Sequence, residues 1–327
     1  MLLSRAVRPA PRVPPHRTPL RCSAAATEAL PRRTLLASTL LLIALQAQAA
    51  SPAPTLLHAV LSVEELEASA RFFCEAYGMT RLRSRPGNVF VGFGSESGGK
   101  HFSLELTKRS DSGDASTAGQ DAFGGLVLAV ANPARAVAVA VGAGAKHASG
   151  ERCAGDAFAG CAVVGPDGTK VSFVRASAGR TADPLARVVL FSADVAASQA
   201  FYQHALGARA VKRQSGVADS AAEDGKQERT LLAFGPDDTH LLELRTARGG
   251  LLLRPSALLE KLALGVPQLE DAASLVAGAA QSGGGGALVK APFAVPGIGT
   301  KVALGRDPDG RTFALVDSAD FEKELLL

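Results

Sequence analysis

The chain repeats itself, and that repeat limits the folds open to it. Leu57-His58-Ala59-Val60-Leu61-Ser62 has a counterpart in Ala186-Arg187-Val188-Val189-Leu190-Phe191, and each β-rich run leads into an amphipathic helix. At one constant offset Ala68, Ser69, Phe72, Ala76 and Gly78 recur as Ala197, Ser198, Phe201, Ala205 and Gly207. Leu104-Glu105-Leu106 then recurs as Leu242-Glu243-Leu244. The stretches between also match. Gly125 to Val130 resembles Lys261 to Val266, and Pro166-Asp167-Gly168 with its following strand resembles Pro308-Asp309-Gly310. The order is A, B, A′, B′, each unit reading strand, helix, three strands. This predicts an α+β fold of four βαβββ modules, with domains at 55–176 and 185–325 joined across Ala176 to Pro184.

Local chemistry marks the element ends. Ser62-Val63-Glu64-Glu65 has the S-x-x-E form of a capping box, and Gly78 suits the end of the same helix. Asn132-Pro133 provides an N-cap with Pro at the first helical position. Each Pro-Asp-Gly places Gly where φ turns positive and so joins the last two strands of B and of B′. Loops are expected at Lys108 to Gln120, Ser215 to Gln227 and Ala247 to Ser256.

Period two decides which side chains face inward. His101, Ser103 and Glu105 fall on one face of a strand, and Phe102, Leu104 and Leu106 on the other. A carboxylate is expensive to bury on an apolar face. Glu105 and Glu243, at matching places, are therefore expected to point into a wet or metal-lined cavity. His101 lies about 13 Å along the strand from Glu105 at ~3.3 Å per residue, too far to share an ion with it.

Charge and cysteine usage narrow the function classes. The 35 Lys and Arg exceed the 31 Asp and Glu, yet seven of those Arg, against Glu28 alone, lie in the first fifty residues, so the rest carries a net charge of −2. The basic excess belongs to a leader, and nucleic acid is not an expected partner. Residues 1–50 read as a transit peptide followed by a second signal: Arg32-Arg33, a short apolar run, then Ala47-Gln48-Ala49. That run is too short for a membrane span. The expected address is the chloroplast, in the thylakoid lumen. No C-x-x-C pair exists, so a zinc knuckle is not expected. Cys153 and Cys161 are read as two buried thiols, with a disulfide across a hairpin as the alternative.

These residues resemble the vicinal-oxygen-chelate superfamily, and within it the plant two-domain glyoxalase I (lactoylglutathione lyase) family. The resemblance runs from Leu57-His58-Ala59-Val60-Leu61 through Tyr77-Gly78-Met79 and Leu104-Glu105-Leu106-Thr107. It continues to Pro296-Gly297-Ile298-Gly299-Thr300-Lys301, Asp307-Pro308-Asp309-Gly310 and Asp320-Phe321 to Glu324-Leu325. It implies two tandem glyoxalase/bleomycin-resistance/dioxygenase-type domains in which A pairs with B′ and A′ with B. It also implies a divalent metal, Zn or Ni, held between paired modules, with glutathione as co-substrate.

Carried over position by position, the ligand set is incomplete. His58, Glu105 and Glu243 stand at metal positions, with Glu105 and Glu243 also the catalytic candidates. Gly125, Ser172, Arg187, Lys261 and Ala314 occupy positions where the family has ligands, including the proton-transferring Glu. Ser62 and Arg109 replace an Arg and an Asn that help hold glutathione. Lys261 is expected to pair with Glu105, and Arg187 with Glu243, in place of a cation. The expected activity is therefore glyoxalase I-like, isomerising the glutathione–methylglyoxal hemithioacetal weakly or not at all. The alternatives are a non-catalytic plastid protein that binds a small ligand, or another metal-dependent member such as a dioxygenase. A monomer acting as an internal pseudo-dimer is the expected assembly.

Overall fold

The computed structural model describes residues 54–109, 119–148, 161–177, 183–212, 214, 228–235, 238–248, 251–281 and 284–326. The leader, Cys153 and most of the loops expected at Lys108 to Gln120 and Ser215 to Gln227 lie outside the described residues.

All four modules form. Module A comprises β1 (Thr55–Val63), α1 (Leu66–Tyr77), β2 (Thr80–Arg85), β3 (Asn88–Gly92) and β4 (Ser103–Lys108). The short β5 (Gln120–Asp121) precedes module B, which holds β6 (Phe123–Val130), α2 (Pro133–Gly142), β7 (Lys146–His147), β8 (Cys161–Val164) and β9 (Lys170–Arg175). Module A′ is β10 (Leu185–Ser192), α3 (Val195–His204), β11 (Arg209–Val211), β12 (Arg229–Ala233) and β13 (Leu241–Thr246). After β14 (Leu253–Arg254), module B′ runs through β15 (Leu259–Val266), α4 (Leu269–Gln281), β16 (Ala287–Ala294), β17 (Lys301–Arg306) and β18 (Thr312–Asp317), and ends in α5 (Ser318–Glu324).

The modules join crosswise into two eight-stranded sheets. One runs β16-β17-β18-β15-β1-β4-β3-β2, the other β11-β12-β13-β10-β6-β9-β8-β7. Antiparallel β1 and β15 therefore seam A to B′, and β10 and β6 seam A′ to B. In each sheet one set of alternating side chains packs under the helices. Leu104, Leu106, Leu126, Leu128, Val188, Leu190, Leu242, Leu244, Leu262 and Leu264 join Phe73 and Tyr202 in one core. The other set forms what we term the site face.

Most end signals act as read. Gly78 closes α1 at φ 74°; the Asn132 side chain accepts the Arg135 N–H beside Pro133 at the start of α2. Gly168 and Gly310 take φ 92° and 81° in the two Pro-Asp-Gly turns. The capping box does not form. Ser62 belongs to β1, its N–H donating to Leu258 O, and α1 starts after Glu65 with no side-chain cap. His101 stands before β4 rather than in it, and its Nδ1 lies 3.3 Å from Asp183. Cys161 is disulfide-bonded, correcting the expectation of two free thiols.

The turns also distinguish the two halves. Asp307, just ahead of the second Pro-Asp-Gly, accepts the Tyr202 hydroxyl at 2.8 Å and Arg311 Nε at 2.6 Å. Asp309 accepts the Ser198 hydroxyl and Arg311 Nη2. The first half has Gly165, Thr169 and Phe73 at the places of Asp307, Arg311 and Tyr202. There an open cavity of about 360 Å³ lies beside α1 and the turn, lined by Glu64, Glu65, Phe72 and Asp167 among others.

Candidate functional site

Strand register sets the membership of each site face. In the A/B′ sheet, His58 lies opposite Ser103 and Ala263, and Val60 lies opposite Glu105 and Lys261. Ala263 in turn pairs with Ala314, and Phe90 with Glu105. In the A′/B sheet, Arg187 lies opposite Val127 and Val189 opposite both Gly125 and Glu243; Val127 pairs with Ser172. The eight metal-ligand positions carried over from the family thus fall in two groups, four to each sheet. His101 joins neither.

In the A/B′ group, His58 Nε2 is 3.2 Å from Glu105 Oε2, and both side chains are largely buried. The Asn88 amide donates to Glu105 Oε1. Burial alone pushes the Glu105 carboxyl up, but the His58 bond and charge, Lys261 and Asn88 outweigh it, holding it below the usual carboxylate range. The expected Lys261–Glu105 ion pair does not form. Lys261 Nζ binds its neighbour Glu260 at 2.8 Å and acts on Glu105 only through its field. The short reach to Glu260 at the exposed sheet end wins over a deeper, more costly position for an ammonium.

A lid covers this group. Phe321 of α5 packs with Leu57, Ala263, Ala314 and Val316, its ring 6.1 Å from His58. Glu324 on the same helix pairs with Arg83 at 2.9 Å and Arg85 at 2.8 Å. Arg83 stacks over Phe90, 3.4 Å from its centroid. Neither Phe90 nor Arg83 was singled out from sequence, and Glu324 entered only within the Asp320-Phe321 to Glu324-Leu325 match, with no role given to it. Period two would have placed Phe90 on the site face; the partners of Glu324 carried no sequence signal.

The A′/B group is a closed ionic network. Arg187 Nη1 is 3.1 Å from Glu243 Oε2, with the two side chains 1% and 0% exposed, as the sequence pairing anticipated. Arg245 Nε donates to Glu243 Oε1 at 2.9 Å, and Arg229 Nη1 stands 3.8 Å from the same oxygen. Arg187 Nε donates to Gln214 Oε1 at 2.9 Å. Gln214 is itself pinned by its amide to the carbonyls of Ala186, Asp238 and Thr239. Burial pushes Glu243 up, but Arg245 and Arg187 prevail and hold its carboxyl below the usual range. Gln214, Arg229 and Arg245 are further residues that the sequence reading missed.

The donor sets do not fit the metal that the resemblance implies. The 3.2 Å between His58 and Glu105 is close to the ~3.3 Å between two ligands of a tetrahedral zinc. The shortfall lies in number and charge, because module B′ supplies only Lys261, its ammonium turned to Glu260, and the methyl of Ala314. A closed or catalytic site needs three or four protein donors. In the A′/B group a guanidinium already lies where Glu243 would meet a cation. Among the described residues no group of three or more His, Cys, Asp or Glu is arranged to hold a metal ion.

The family model for the Glyoxalase/Bleomycin resistance protein/Dioxygenase superfamily matches residues 55–173 and 185–315. Among curated relatives, a probable chloroplastic lactoylglutathione lyase of Arabidopsis thaliana is 29% identical, covering 83% of this chain and 75% of its own length. A lactoylglutathione lyase of Oryza sativa subsp. japonica is 29% identical over 83% of this chain and 91% of its own. The crystal structure of glyoxalase I from Zea mays superposes with a TM-score of 0.67 at 28% identity, over 83% of this chain and 95% of that one. The chain belongs to the Glyoxalase/Bleomycin resistance protein/Dioxygenase superfamily and is built on the plant-type two-domain glyoxalase I plan.

Proposed function

We propose that this is a glyoxalase I-like protein whose lactoylglutathione lyase activity is weak or lost, and whose retained role is to bind a small molecule. One observation carries the reading: the buried Arg187–Glu243 pair, 3.1 Å apart, occupies the A′/B position that the resemblance assigns to a metal.

Proton chemistry points the same way. Isomerising a hemithioacetal needs a base that removes a proton from carbon, and such a base works best with a pKa near the working pH. Glu105 and Glu243 are both held below the ordinary carboxylate range. Glu243 is moreover shared between two guanidiniums and closed from solvent. Ser172 and Ala314 offer no base where the family places its proton-transferring Glu. A dioxygenase site, wanting two His and a carboxylate, has only His58 and Glu105 to draw on.

The test is isomerisation of the glutathione–methylglyoxal hemithioacetal by the purified protein with added nickel or zinc. The reading expects turnover near the uncatalysed rate; robust metal-stimulated turnover overturns it. The leader composition and the chloroplastic relative support a plastid address, and the paired arginines with Ala47-Gln48-Ala49 support the thylakoid lumen. We take the working unit to be a monomer, since the chain itself supplies both partners of each sheet. No described helix is long and apolar enough to cross a membrane.

A further inference from the structure

We propose that the open cavity beside α1 and the first Pro-Asp-Gly turn is a binding site for a small alkylguanidinium cation. It shares no lining residue with either sheet group. The inference therefore stands whether or not either group holds a metal.

The internal repeat identifies what this cavity lacks. In the second half the Ser198 hydroxyl donates to Asp309 Oδ2 at 2.8 Å, and Arg311 Nη2 donates to the same oxygen at 2.6 Å. Arg311 also donates through Nε to Asp307 and through Nη1 to the Phe191 carbonyl. Ser69 and Asp167 hold the places of Ser198 and Asp309 in the first half, and both line the cavity. Thr169 stands where Arg311 would bring its guanidinium. Ser69 is 9% exposed, and its hydroxyl has no hydrogen-bond partner among the described residues. A polar group so buried ordinarily has one. Asp167 accepts only the Thr169 N–H and hydroxyl, whereas an ionised carboxylate offers about four lone-pair sites. Its charge is felt nearby: together with burial, it pushes the pKa of the Tyr77 hydroxyl up.

Charge, shape and size suit such a guest. Glu64 is paired with Arg109 at 3.3 Å. Glu65, Glu75 and Asp167 are opposed in the lining only by Arg71, which leaves negative charge in excess. Phe72, Ala143 and Pro166 supply apolar wall for a short alkyl stem. A guanidinium presents its donors in a planar fork that matches a carboxylate, as a compact ammonium does not. The volume of about 360 Å³ falls within the ~300–1,000 Å³ usual for small-molecule sites.

The test is calorimetric titration of the full-length protein with butylguanidinium chloride. Two probes serve for comparison: butylurea, similar in shape but uncharged, and butylammonium chloride, charged but without the fork. Butylguanidinium should bind about tenfold more tightly than butylurea, the gain expected of charge-assisted bonds, and more tightly than butylammonium. Asp167→Asn removes the charge while its amide can still bond Thr169, and it should abolish the preference over butylurea. The comparison of probes on the unaltered protein needs no variant to fold. No binding of butylguanidinium, equal binding of it and either comparison probe, or a preference unchanged in Asp167→Asn overturns the inference.

Discussion

Arg187 and Glu243 illustrate how strongly one buried pair constrains its own replacement. Arg187→Ala removes one of the two guanidiniums bonded to the buried Glu243 carboxylate, leaving Arg245, and should cost about 3 kcal/mol in urea denaturation. Replacing both by Leu removes the desolvation of two charges but takes the partners from Arg245 and Gln214, so recovery of that loss should be partial. The pair also sets an acid limb. A carboxyl whose folded pKa lies below its unfolded one contributes stability that is complete above the unfolded value, about pH 4.3, and lost as pH falls through the folded value. Stability of the native protein should therefore fall below about pH 4.3 more steeply than that of Glu243→Gln; parallel pH profiles would contradict the assigned role. In the A/B′ group, Lys261→His adds a third donor beside His58 and Glu105 and removes an ammonium. Zinc retained after desalting should rise toward about one ion per chain; no gain over the native protein would show that donor number is not what limits the site. Arg187–Glu243 was legible because the resemblance placed both at ligand positions of one site, on adjacent parallel strands two residues out of register. Gln214 was not, since its three carbonyl partners lie on segments distant in sequence.

At the scale of elements, the signals that worked were local. Gly78, Asn132-Pro133 and the two Pro-Asp-Gly turns act through their own backbone conformation, which the surroundings did not alter. Ser62 failed as a cap because a tertiary bond, its N–H to Leu258 O, extends β1 past it. Such pairing overrides a preference worth about 1 kcal/mol. The turn after β17 gains what the turn after β8 lacks. The buried Tyr202 hydroxyl is raised well above its ordinary pKa by burial and by Asp307, so it stays a donor to that carboxylate. Tyr202→Phe should cost about 1 kcal/mol in thermal or urea unfolding. Arg311 keeps Asp307 satisfied in that variant, so a much larger loss would mean that the hydroxyl does more than bond there.

For the whole molecule, crosswise assembly is the decisive property; the repeat supplied the four modules, and the family resemblance supplied their crosswise pairing. Each half of the chain supplies one module to each sheet, so neither half holds a complete sheet. A fragment of residues 54–177 exposes the β1 and β6 edges that β15 and β10 normally cover. It should run as a dimer or aggregate in size-exclusion chromatography, and a folded monomeric fragment would contradict the account. The two sites differ, one with His58 and Glu105 under α5, the other closed around Arg187. The most direct test of that divergence is anomalous scattering from crystals grown with nickel. The account predicts no metal peak in either group, with Arg187 still bonded to Glu243. A peak beside Glu243 with the guanidinium swung away would contradict it.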